Sequence, residues 1–567
     1  MKLRLPKALN SLVGHVRALP PSDQLIVWVL AAIIGFTSLF GLVALERTIL
    51  VEQPAYGGSL HEGVVGSPRF VNPILALTDT DRDLTALTYA GLMGTGKDGT
   101  LVPVLAEDYV TSENGTVYTF TLRANAKFSD GTPVTADDVV YTVQKAQDPV
   151  LKSPEYANWA NIKVEAMDAR TVRFTLPKAY APFLEDATLG ILPMHVWKDV
   201  NDTEFPFAPH MISPIGAGPF MVTNVSRDKD GVVRGYEVSA NKQYALGRPY
   251  LNTIRFSFYD DEAALATAVS NGSIESAYGV AGPKDAHVVT APYGRVYAVF
   301  FNGTDNKALA DISVRKALST ATNKDRIVHD LLGGYATVLN GPVPPGSGVE
   351  IPSSPAPADR IGDAHAILEK AGWKFDTETN TWSKKDKSGT QNLAITLRTS
   401  NVPELKIIAM SVAQDWQELG VPTSLELTDP SALAQDVIRP RKFDALLFGM
   451  VVGRNRDFYA FWHSSQRTDP GLNIAGYADK NVDALLEKLR SETDASHIAD
   501  DLTAVNTSIA ADVPAVFIEA PDFVYITPKD LQGVVLPQIA SPADRFASVA
   551  SWYRHSEYVW PMFARTK

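Results

Sequence analysis

Cysteine is absent from this chain of 567 residues. Its absence excludes structural disulfides, thiol nucleophiles, zinc or iron–sulfur sites held by cysteine, and a lipid anchor attached to a cysteine. Histidine is sparse, and its 10 residues form no H-x-x-x-H or H-E-x-x-H pair of the kind that binds zinc. The sequence therefore predicts neither a metal site nor a cofactor.

Motifs for nucleophilic catalysis and nucleotide binding are also missing. No G-x-S-x-G sequence is present to hold a serine nucleophile. The segment Gly91 to Asp98, GLMGTGKD, nearly matches the phosphate-binding pattern G-x-x-x-x-G-K-[ST]. However, Asp98 replaces the hydroxyl that would hold magnesium, and Leu84 to Met93 is predicted to be helical where a strand should precede the loop. We predict a protein that is not an enzyme.

The length and charge of the chain limit its class further. Single hydrophobic cores stop growing near about 250–300 residues, so 567 residues should form more than one domain. The net charge is −12, and because the first 24 residues carry +3, the remainder carries −15. Such an acidic body argues against nucleic-acid binding, which would need a basic surface.

A long apolar run lies near the N-terminus. Leu25 to Leu45 contains no charged residue, and as a helix it would span about 31 Å, close to the thickness of a bilayer core. It exceeds the apolar region of about 7–15 residues in a cleavable signal peptide, and Ala44-Leu45-Glu46 is a poor cleavage site. The four cations before Asp23 predict a cytoplasmic N-terminus. We predict an uncleaved signal anchor; a cleaved signal peptide and a buried core helix are the alternatives.

The segment Leu101 to Val143 has the most informative local pattern. Asn114-Gly115 predicts a turn, and Tyr118 to Leu122 then alternates apolar residues with threonine, as in a half-buried strand. Thr135, with Asp138 three residues later, predicts the capped start of a helix. These signals place a strand, a turn and a helix in succession.

Strand and helix patterns alternate further along the chain, which predicts an α/β fold. The predicted strands are Tyr236 to Ser239, Ile254 to Phe258, Val296 to Phe301, Ile395 to Arg398, Ala445 to Phe448 and Val516 to Ile518. The predicted helices are Ala263 to Val269, Val314 to Ala321, Ile361 to Lys370, Ile407 to Leu419 and Val482 to Leu489. The proline-rich segment Gly341 to Ala358 predicts a loop.

These segments resemble the family 5 bacterial extracytoplasmic solute-binding proteins, the oligopeptide-, dipeptide- and nickel-binding group that serves ABC importers. The first matching residues are Pro103, Leu105-Ala106-Glu107, Asn114-Gly115, Tyr118, Phe120, Leu122-Arg123, Phe128, Asp130-Gly131, Pro133-Val134, Ala136 and Asp138-Val139. Later matches, in family order, are Gly216 to Phe220, Phe301-Asn302, Asp311, Val314 to Leu318, Gly341 to Gly346, Ala366 to Trp373, Phe443-Asp444, Phe461 to Ser464, Asn473 and Tyr477. The resemblance extends from near Gly57 to the C-terminus.

The resemblance implies an α/β, two-lobed periplasmic-binding-protein-like fold with an extra subdomain, to which the apolar run adds one N-terminal transmembrane helix. The predicted parts are a cytoplasmic N-terminus at 1–24, the anchor at 25–45, a stalk at 46–58, lobe I at 59–80, 210–298 and 520–567, a grafted subdomain at 81–209, and lobe II at 299–519. Two crossing strands, near Tyr297 to Asn302 and Val513 to Tyr525, should form the hinge.

A protein of this kind encloses its solute between the lobes. The predicted wall of the site is Phe448 to Ser464, with ordinary core packing as the alternative for each of its aromatic residues. The predicted ligand-binding residues are Phe70, Asn72, Asn302, Met450, Arg454, Asp457, Phe458, Trp462 and Asn473. Arg456 is a further candidate, since like Arg454 it could meet a charged end of the ligand.

One departure from the resemblance concerns the amino group of a peptide. In the peptide-binding members, an aspartate a few residues after the glycine that corresponds to Gly449 pairs with the α-amino group, whereas that position is Gly453 here. Asp457 falls where a second, variable acidic motif lies. We therefore expect a free α-amino group to contribute little to affinity, and the wall around Phe458 and Trp462 to contribute more.

These features lead to one preferred function. We predict a membrane-tethered extracellular solute-binding protein that captures peptides or similar solutes for the permease of an ABC transporter by lobe closure. A membrane-anchored sensor or interaction protein with the same fold is the alternative, although the 24 residues before the anchor are too few for a signalling domain. An enzyme such as a hydrolase is a third possibility, but no nucleophile with a base is identifiable.

The topology can be tested on intact cells. If residues 1–24 are cytoplasmic and the protein is a single-pass membrane protein, external protease should digest the body while a tag fused to Met1 stays protected. A fusion of the tag to the C-terminus serves as the control and should be lost. Protection of both tags would contradict this topology.

Overall fold

The computed structural model describes residues 16, 18–349, 357–386, 389–454 and 457–565. The chain divides into two compact units. One comprises Met1–Gly57 with Tyr553–Lys567, and the other comprises Gly58–Trp552. Part of the predicted loop Gly341 to Ala358, most of the predicted cytoplasmic segment 1–24, and Arg456 lie outside the described residues.

Strands and helices alternate along the chain, as the sequence patterns predict. The strands, numbered β1 to β23, are Val51–Pro54, Ser59–Val65, Met93–Thr95, Leu101–Pro103, Ala106–Thr111, Val117–Leu122, Lys163–Ala166, Thr171–Thr175, Phe220–Arg227, Val233–Ala240, Thr253–Tyr259, Ser276–Tyr278, His287–Pro292, Arg295–Phe301, Ala336–Val338, Lys374–Asp376, Thr381–Asp386, Gly389–Asn392, Ile395–Ser400, Thr423–Thr428, Ala445–Val451, Ala515–Thr527 and Ser556–Val559. The longer helices are Pro21–Ile49, Asp79–Thr88, Ala136–Ala146, Glu262–Ser270, Ile312–Ala321, Arg360–Lys370, Pro403–Glu418, Lys480–Leu489 and Ala495–Asp512. Short helical turns are Tyr156–Trp159, Phe183–Asp186, Met194–Trp197, Lys324–Arg326, Pro430–Ala432 and Tyr459–Trp462.

The first unit contains the N-terminal helix and a two-stranded sheet. The helix Pro21–Ile49 includes the predicted span, and its window Pro21–Ser38 is long and apolar enough to cross a membrane and is not buried by protein. The predicted stalk contains β1, which pairs antiparallel with β23, so that Val51 lies opposite Val559. The C-terminal residues that were predicted to belong to lobe I therefore group with the N-terminal helix.

A continuous path of paired strands crosses the second unit in the order β20-β19-β21-β14-β22-β12-β2-β11-β10-β9. The long strand β22 joins the two halves of this path. Its first half pairs with β14, with Ala515 opposite Phe300, and its second half pairs with β12, with Ile526 opposite Ala277. The segments predicted as crossing strands are thus the neighbouring strands β14 and β22.

The body contains several separate hydrophobic cores. One core combines residues between Leu60 and Phe258 with residues between Phe523 and Trp552, and a second lies between Ile74 and Ala217. Two further cores cover opposite faces of β14, because alternate residues of a strand point to opposite sides. The exact boundaries of the lobes and subdomain stay a prediction.

The predicted subdomain contains a four-stranded antiparallel sheet in the order β5-β6-β8-β7. Phe120 on β6 is fully buried, with Phe174 of β8 packed edge-on at 5.7 Å. The predicted turn at Asn114-Gly115 is confirmed, and Gly115 takes a positive φ of 66° that glycine adopts without strain. Thr135 and Asp138 form the predicted capping box of the helix Ala136–Ala146.

The predicted strands and helices in the rest of the body are confirmed, with small differences at their ends. The prediction of a helix over Leu84 to Met93 is wrong in its second half, because the helix is Asp79–Thr88 and Met93 begins β3. A close approach explains the early end, since a Cβ on Gly91 would lie 2.4 Å from the carbonyl oxygen of Thr188. The backbone at Gly91 therefore packs directly against another chain segment.

A fully buried ionic cluster joins distant parts of the body. Both terminal nitrogens of Arg545 donate to Asp83 at 2.7 Å, and its Nε donates to Glu62 at 3.0 Å. Glu62 also accepts from the hydroxyl of Tyr525 at 2.8 Å and from the hydroxyl of Ser276. Side chains from β2, β12, β22 and the helix Asp79–Thr88 therefore meet in one cluster around Arg545 and Glu62.

Removal of Arg545 should strongly destabilise the body. Arg545→Met leaves the carboxylates of Glu62 and Asp83 buried without a cation, which should cost about 3–5 kcal/mol in the free energy of unfolding. Urea unfolding of the detergent-solubilised full chain measures this loss. Arg234→Met is the matched control, because Arg234 also pairs with two aspartates but is 39% exposed, and it should cost about 1 kcal/mol or less. Equal losses in the two variants would contradict the assignment.

Candidate functional site

The predicted aromatic wall lies largely inside the core of the body. Strand β21 carries Met450, which is 3% exposed, and the short helix Tyr459–Trp462 follows a loop. Phe458 is 1% exposed and Trp462 is fully buried. The indole of Trp462 contacts Phe517 at a ring distance of 5.7 Å. Core packing, the alternative that the sequence left open, describes these side chains, and a role in ligand contact stays a prediction.

The predicted asparagines differ in how their amides are used. The side chain of Asn473 donates to the carbonyls of Trp462, His463 and Tyr477 and accepts from the N–H of Tyr477, so it fastens this loop internally. Asn302 donates to the carbonyl of Arg441 at 2.7 Å. Both amides are therefore engaged by the chain itself.

Asn72 has one unused donor. It is fully buried, and its Oδ1 accepts from the N–H of Ile74 at 3.1 Å, while its Nδ2 has no hydrogen-bond partner. Phe70, two residues earlier, is half-buried against the core of the predicted subdomain. The turn that contains these two residues is held by Asp81, whose carboxylate accepts from the N–H of Phe70 at 2.8 Å.

Arg454 is a predicted site residue that contacts other predicted parts of the body. It follows β21 in the predicted lobe II, yet its guanidinium donates to the hydroxyl of Thr95 and lies 3.6 Å from Glu185, both in the predicted subdomain. It also lies 3.4 Å from Asp544 in the predicted lobe I. The side chain is only 16% exposed. Arg454 therefore contacts all three predicted parts of the body.

Among the described residues, three cavities have Arg454 in their walls. The largest has a volume of about 990 Å³ and lies between the predicted subdomain, at Glu113 and Tyr180, and the predicted lobe II, at Leu489 and Thr493. Two smaller cavities of about 380 and 330 Å³ also have Arg454 in their walls. Volumes of about 300–1,000 Å³ are typical of small-molecule sites. The guanidinium of Arg454 thus contributes to the walls of all three cavities.

Asp457 is paired within the protein. Nη2 of Arg490 lies 2.6 Å from its carboxylate, and the same guanidinium lies 3.9 Å from the centre of the Tyr459 ring. The carbonyl of Arg490 accepts from the N–H of Ala181 in the predicted subdomain at 2.9 Å. An ammonium group of a ligand would have to compete with Arg490 for Asp457.

The electrostatics near these contacts are acidic. Burial raises the pKa of Asp186 to about 7, and repulsion from Glu155, Glu185 and Asp457 adds to this effect. A carboxyl group whose pKa is raised in this way is partly protonated at neutral pH. The cations Arg454, near Glu185, and Arg490, paired with Asp457, therefore lie among several carboxyl groups.

The sequence analysis missed a charged residue on the crossing strand β22. Glu519 is fully buried, and neither of its carboxyl oxygens has a hydrogen-bond partner in the described part of the chain. Burial, followed by repulsion from Glu404 and Asp522, raises its pKa to about 9. An acidic residue inside the apolar run Ala515 to Ala520 was the signal that could have identified it.

Comparison with known proteins identifies the family. A family model described as "Bacterial extracellular solute-binding proteins, family 5 Middle" matches residues 100–471, about two thirds of the chain. The oligopeptide-binding protein AppA of Bacillus subtilis is 27% identical over 499 residues, which cover 85% of this chain and 89% of that protein. The glutathione-binding protein GsiB of Escherichia coli is 26% identical over 487 residues, which cover 80% of this chain and 88% of that protein.

Solved structures show the same architecture. AppA of Bacillus subtilis in complex with a nonapeptide aligns with a TM-score of 0.67 and 25% identity, covering 89% of this chain and 100% of that chain. The ABC transporter substrate-binding protein CtaP of Listeria monocytogenes aligns with a TM-score of 0.73 and 26% identity, covering 88% and 99%. The predicted two-lobed α/β fold is confirmed. This chain belongs to the bacterial extracellular solute-binding proteins of family 5, a family of binding proteins and not of enzymes.

The buried position of Trp462 yields a prediction about stability. Trp462→Ala removes a fully buried indole and should lower the free energy of unfolding by about 3–5 kcal/mol. Trp462→Phe should retain most of the stability, and Trp560→Ala, at a position that is 42% exposed, is the control with little effect. Thermal unfolding of the three variants measures the difference. A stable Trp462→Ala variant that nevertheless failed to bind solute would restore Trp462 as a direct ligand contact.

Proposed function

We propose that this chain is a membrane-tethered receptor that closes its lobes on a peptide or similar solute and presents it to the permease of an ABC transporter. The observation that carries the proposal is the position of Arg454, which reaches from the predicted lobe II to Thr95, Glu185 and Asp544. Contacts of this kind form when the lobes approach and are lost when they separate. The two crossing strands β14 and β22 supply the connection about which such a movement occurs.

The proposed ligand class rests on the relatives and on the available space. AppA is an oligopeptide-binding protein and GsiB a glutathione-binding protein, so members of this family with similar sequences take peptides. The cavity of about 990 Å³ beside Arg454 is at the upper end of the usual range for small ligands. A short peptide fits such a space, and Arg454 is suited to a carboxylate because guanidinium and carboxylate groups pair through two hydrogen bonds.

The proposed tether rests on the first unit. The helix Pro21–Ile49 is about 43 Å long at 1.5 Å per residue, more than the roughly 30 Å of a bilayer core. The window Pro21–Ser38 is apolar and is not buried by protein. A membrane covers such a surface, and the basic residues before Asp23 orient the helix with the body outside.

Lobe closure can be measured with spin labels, since the chain has no cysteine to interfere. Labels on Lys178→Cys and Glu378→Cys, exposed positions in the predicted subdomain and lobe II, should move closer together when a tripeptide pool is added. Labels on Glu378→Cys and Asp436→Cys, both in the predicted lobe II, form the control pair and should keep their distance. The full chain in lipid nanodiscs is used throughout.

Two outcomes of this experiment decide the proposal. A shortened distance in the first pair, with native mass spectrometry showing retained peptides, supports a receptor that closes on peptide. Unchanged distances with no retained peptide would contradict it and would favour the alternative of a membrane-anchored scaffold. Arg454→Gln should weaken retention, because the closed arrangement loses its contacts to Thr95, Glu185 and Asp544.

A further inference from the structure

Glu519 is a buried carboxyl group without a hydrogen-bond partner among the residues that the structure describes. Its side chain has no exposed surface, and both oxygens lack a hydrogen-bond donor. Buried polar groups in proteins are nearly always hydrogen-bonded, and an unpaired buried charge is among the least favourable arrangements. By contrast, buried Glu62 accepts from Arg545, Tyr525 and Ser276. A bound solute is therefore a candidate to supply the hydrogen-bond donor that Glu519 lacks.

The strand register places Glu519 beside the predicted ligand wall. Tyr297 of β14 lies opposite Gly449 of β21 on one side and opposite Glu519 of β22 on the other. Directly opposite residues share a face of a sheet, so these three positions form one row. The ring of Tyr297 covers Gly449, where a Cβ would lie 2.7 Å from the ring. Gly449 is the second residue of the predicted wall Phe448 to Ser464.

An irregularity in the sheet accompanies this row. The pairing of β14 with β22 shifts between Tyr297, opposite Glu519, and Ala298, opposite Phe517, which leaves Ile518 as an extra residue. Bulges of this kind redirect side chains and are frequent beside functional sites. Here the bulge places an acidic side chain opposite Tyr297 within an otherwise apolar segment.

The charges around Glu519 favour a cation. Glu404, in the first turn of the helix Pro403–Glu418, and Asp522 on the same strand both repel a negative charge at Glu519. Arg295 on β14 is engaged elsewhere, since it is hydrogen-bonded to Tyr297 and lies 4.2 Å from the centre of the Tyr293 ring. Glu519 thus lies near two further carboxyl groups, and Arg295, which attracts Glu404, forms no ion pair with Glu519 among the described residues.

We propose that Glu519 binds a cationic group of the solute, an ammonium or a guanidinium, and that Glu404 adds to the attraction. This inference rests on the proposed function, because it assigns a specificity for the solute that the receptor is proposed to bind. This proposal revises the expectation drawn from Gly453. An α-ammonium group that finds no aspartate there displaces the proton that the raised pKa keeps on Glu519 at neutral pH, and it pairs with the resulting carboxylate. The cation is either the α-ammonium or a basic side chain, and the chemistry at Glu519 is the same for both.

Retention of defined peptides by the full chain tests the proposal. The probes are two tripeptide pools, one with free and one with acetylated N-termini, in which each position carries Ala, Leu, Gln, Glu, Lys or Arg. Peptides retained by the chain in nanodiscs are identified by mass spectrometry. The wild type should prefer peptides with a cationic group on the order of tenfold or more, the effect of one charge-assisted hydrogen bond. Preference within the acetylated pool identifies a basic side chain, and a preference for free N-termini identifies the α-ammonium.

Variants at Glu519 separate its charge from its size. Glu519→Gln should lose the cationic preference, and Glu519→Asp, which keeps the charge, should retain part of it. Glu378→Gln, an exposed residue in the turn between β16 and β17, removes one negative charge elsewhere and should behave like the wild type. Thermal unfolding checks that each variant is folded, and Glu519→Gln should unfold at no lower temperature than the wild type at pH 7.5, since it removes an unpaired carboxyl group.

The outcomes distinguish this inference from the proposed function. Peptide retention without cationic preference, or with a preference that Glu519→Gln leaves intact, overturns the role of Glu519 but keeps the receptor. Rotation of Arg295 onto Glu519 would give peptide retention without cationic preference, because Arg295 would then neutralise the carboxylate. Retention of no peptide from either pool overturns both proposals.

Discussion

The buried guanidinium of Arg545 is the contact on which the arrangement of the body depends. It pairs with Glu62 and Asp83, residues more than 450 positions away in the chain. A buried charge destabilises a protein by several kcal/mol unless it is paired, so each member of this cluster requires the other two. Tyr525 donates to Glu62 and thereby fixes the second half of β22 in the first lobe. The first half of β22 is not held by this cluster and pairs with β14.

The two ends of β22 show how a buried carboxyl group can serve either structure or binding. Beside one end of β22, Glu62 of β2 accepts from Arg545, Tyr525 and Ser276. Nearer the other end, the carboxyl group of Glu519 has no hydrogen-bond partner among the residues that the structure describes. The same strand therefore contacts one buried carboxylate that is paired and carries another carboxyl group that is not. Under our proposal, an external cation gains affinity at Glu519 because folding has already desolvated the site.

Local patterns predicted most of the secondary structure. Alternation at Tyr118 to Leu122 and the capping pair at Thr135 predicted a strand and a helix because their signals lie within a few residues. The helix over Leu84 to Met93 ended early because Gly91 packs against Thr188, a contact across almost 100 residues that no local pattern reveals. The aromatic wall was less predictable, since an apolar side chain such as Trp462 has the same appearance in sequence whether it lies in a core or in a pocket.

The sequence by itself determined the family, the apolar N-terminal helix and the order of strands and helices, because motif order and hydrophobic periodicity are properties of neighbouring residues. Only the tertiary structure decided which charges are paired. Arg454 and Asp457 are close in sequence, yet one contacts Asp544 and the other Arg490. Strand register places Glu519 opposite Tyr297 and Val338, and no hydrogen-bond donor among the described residues reaches its carboxyl group. Burial and pairing depend on contacts between distant segments, and the folded chain alone supplies them.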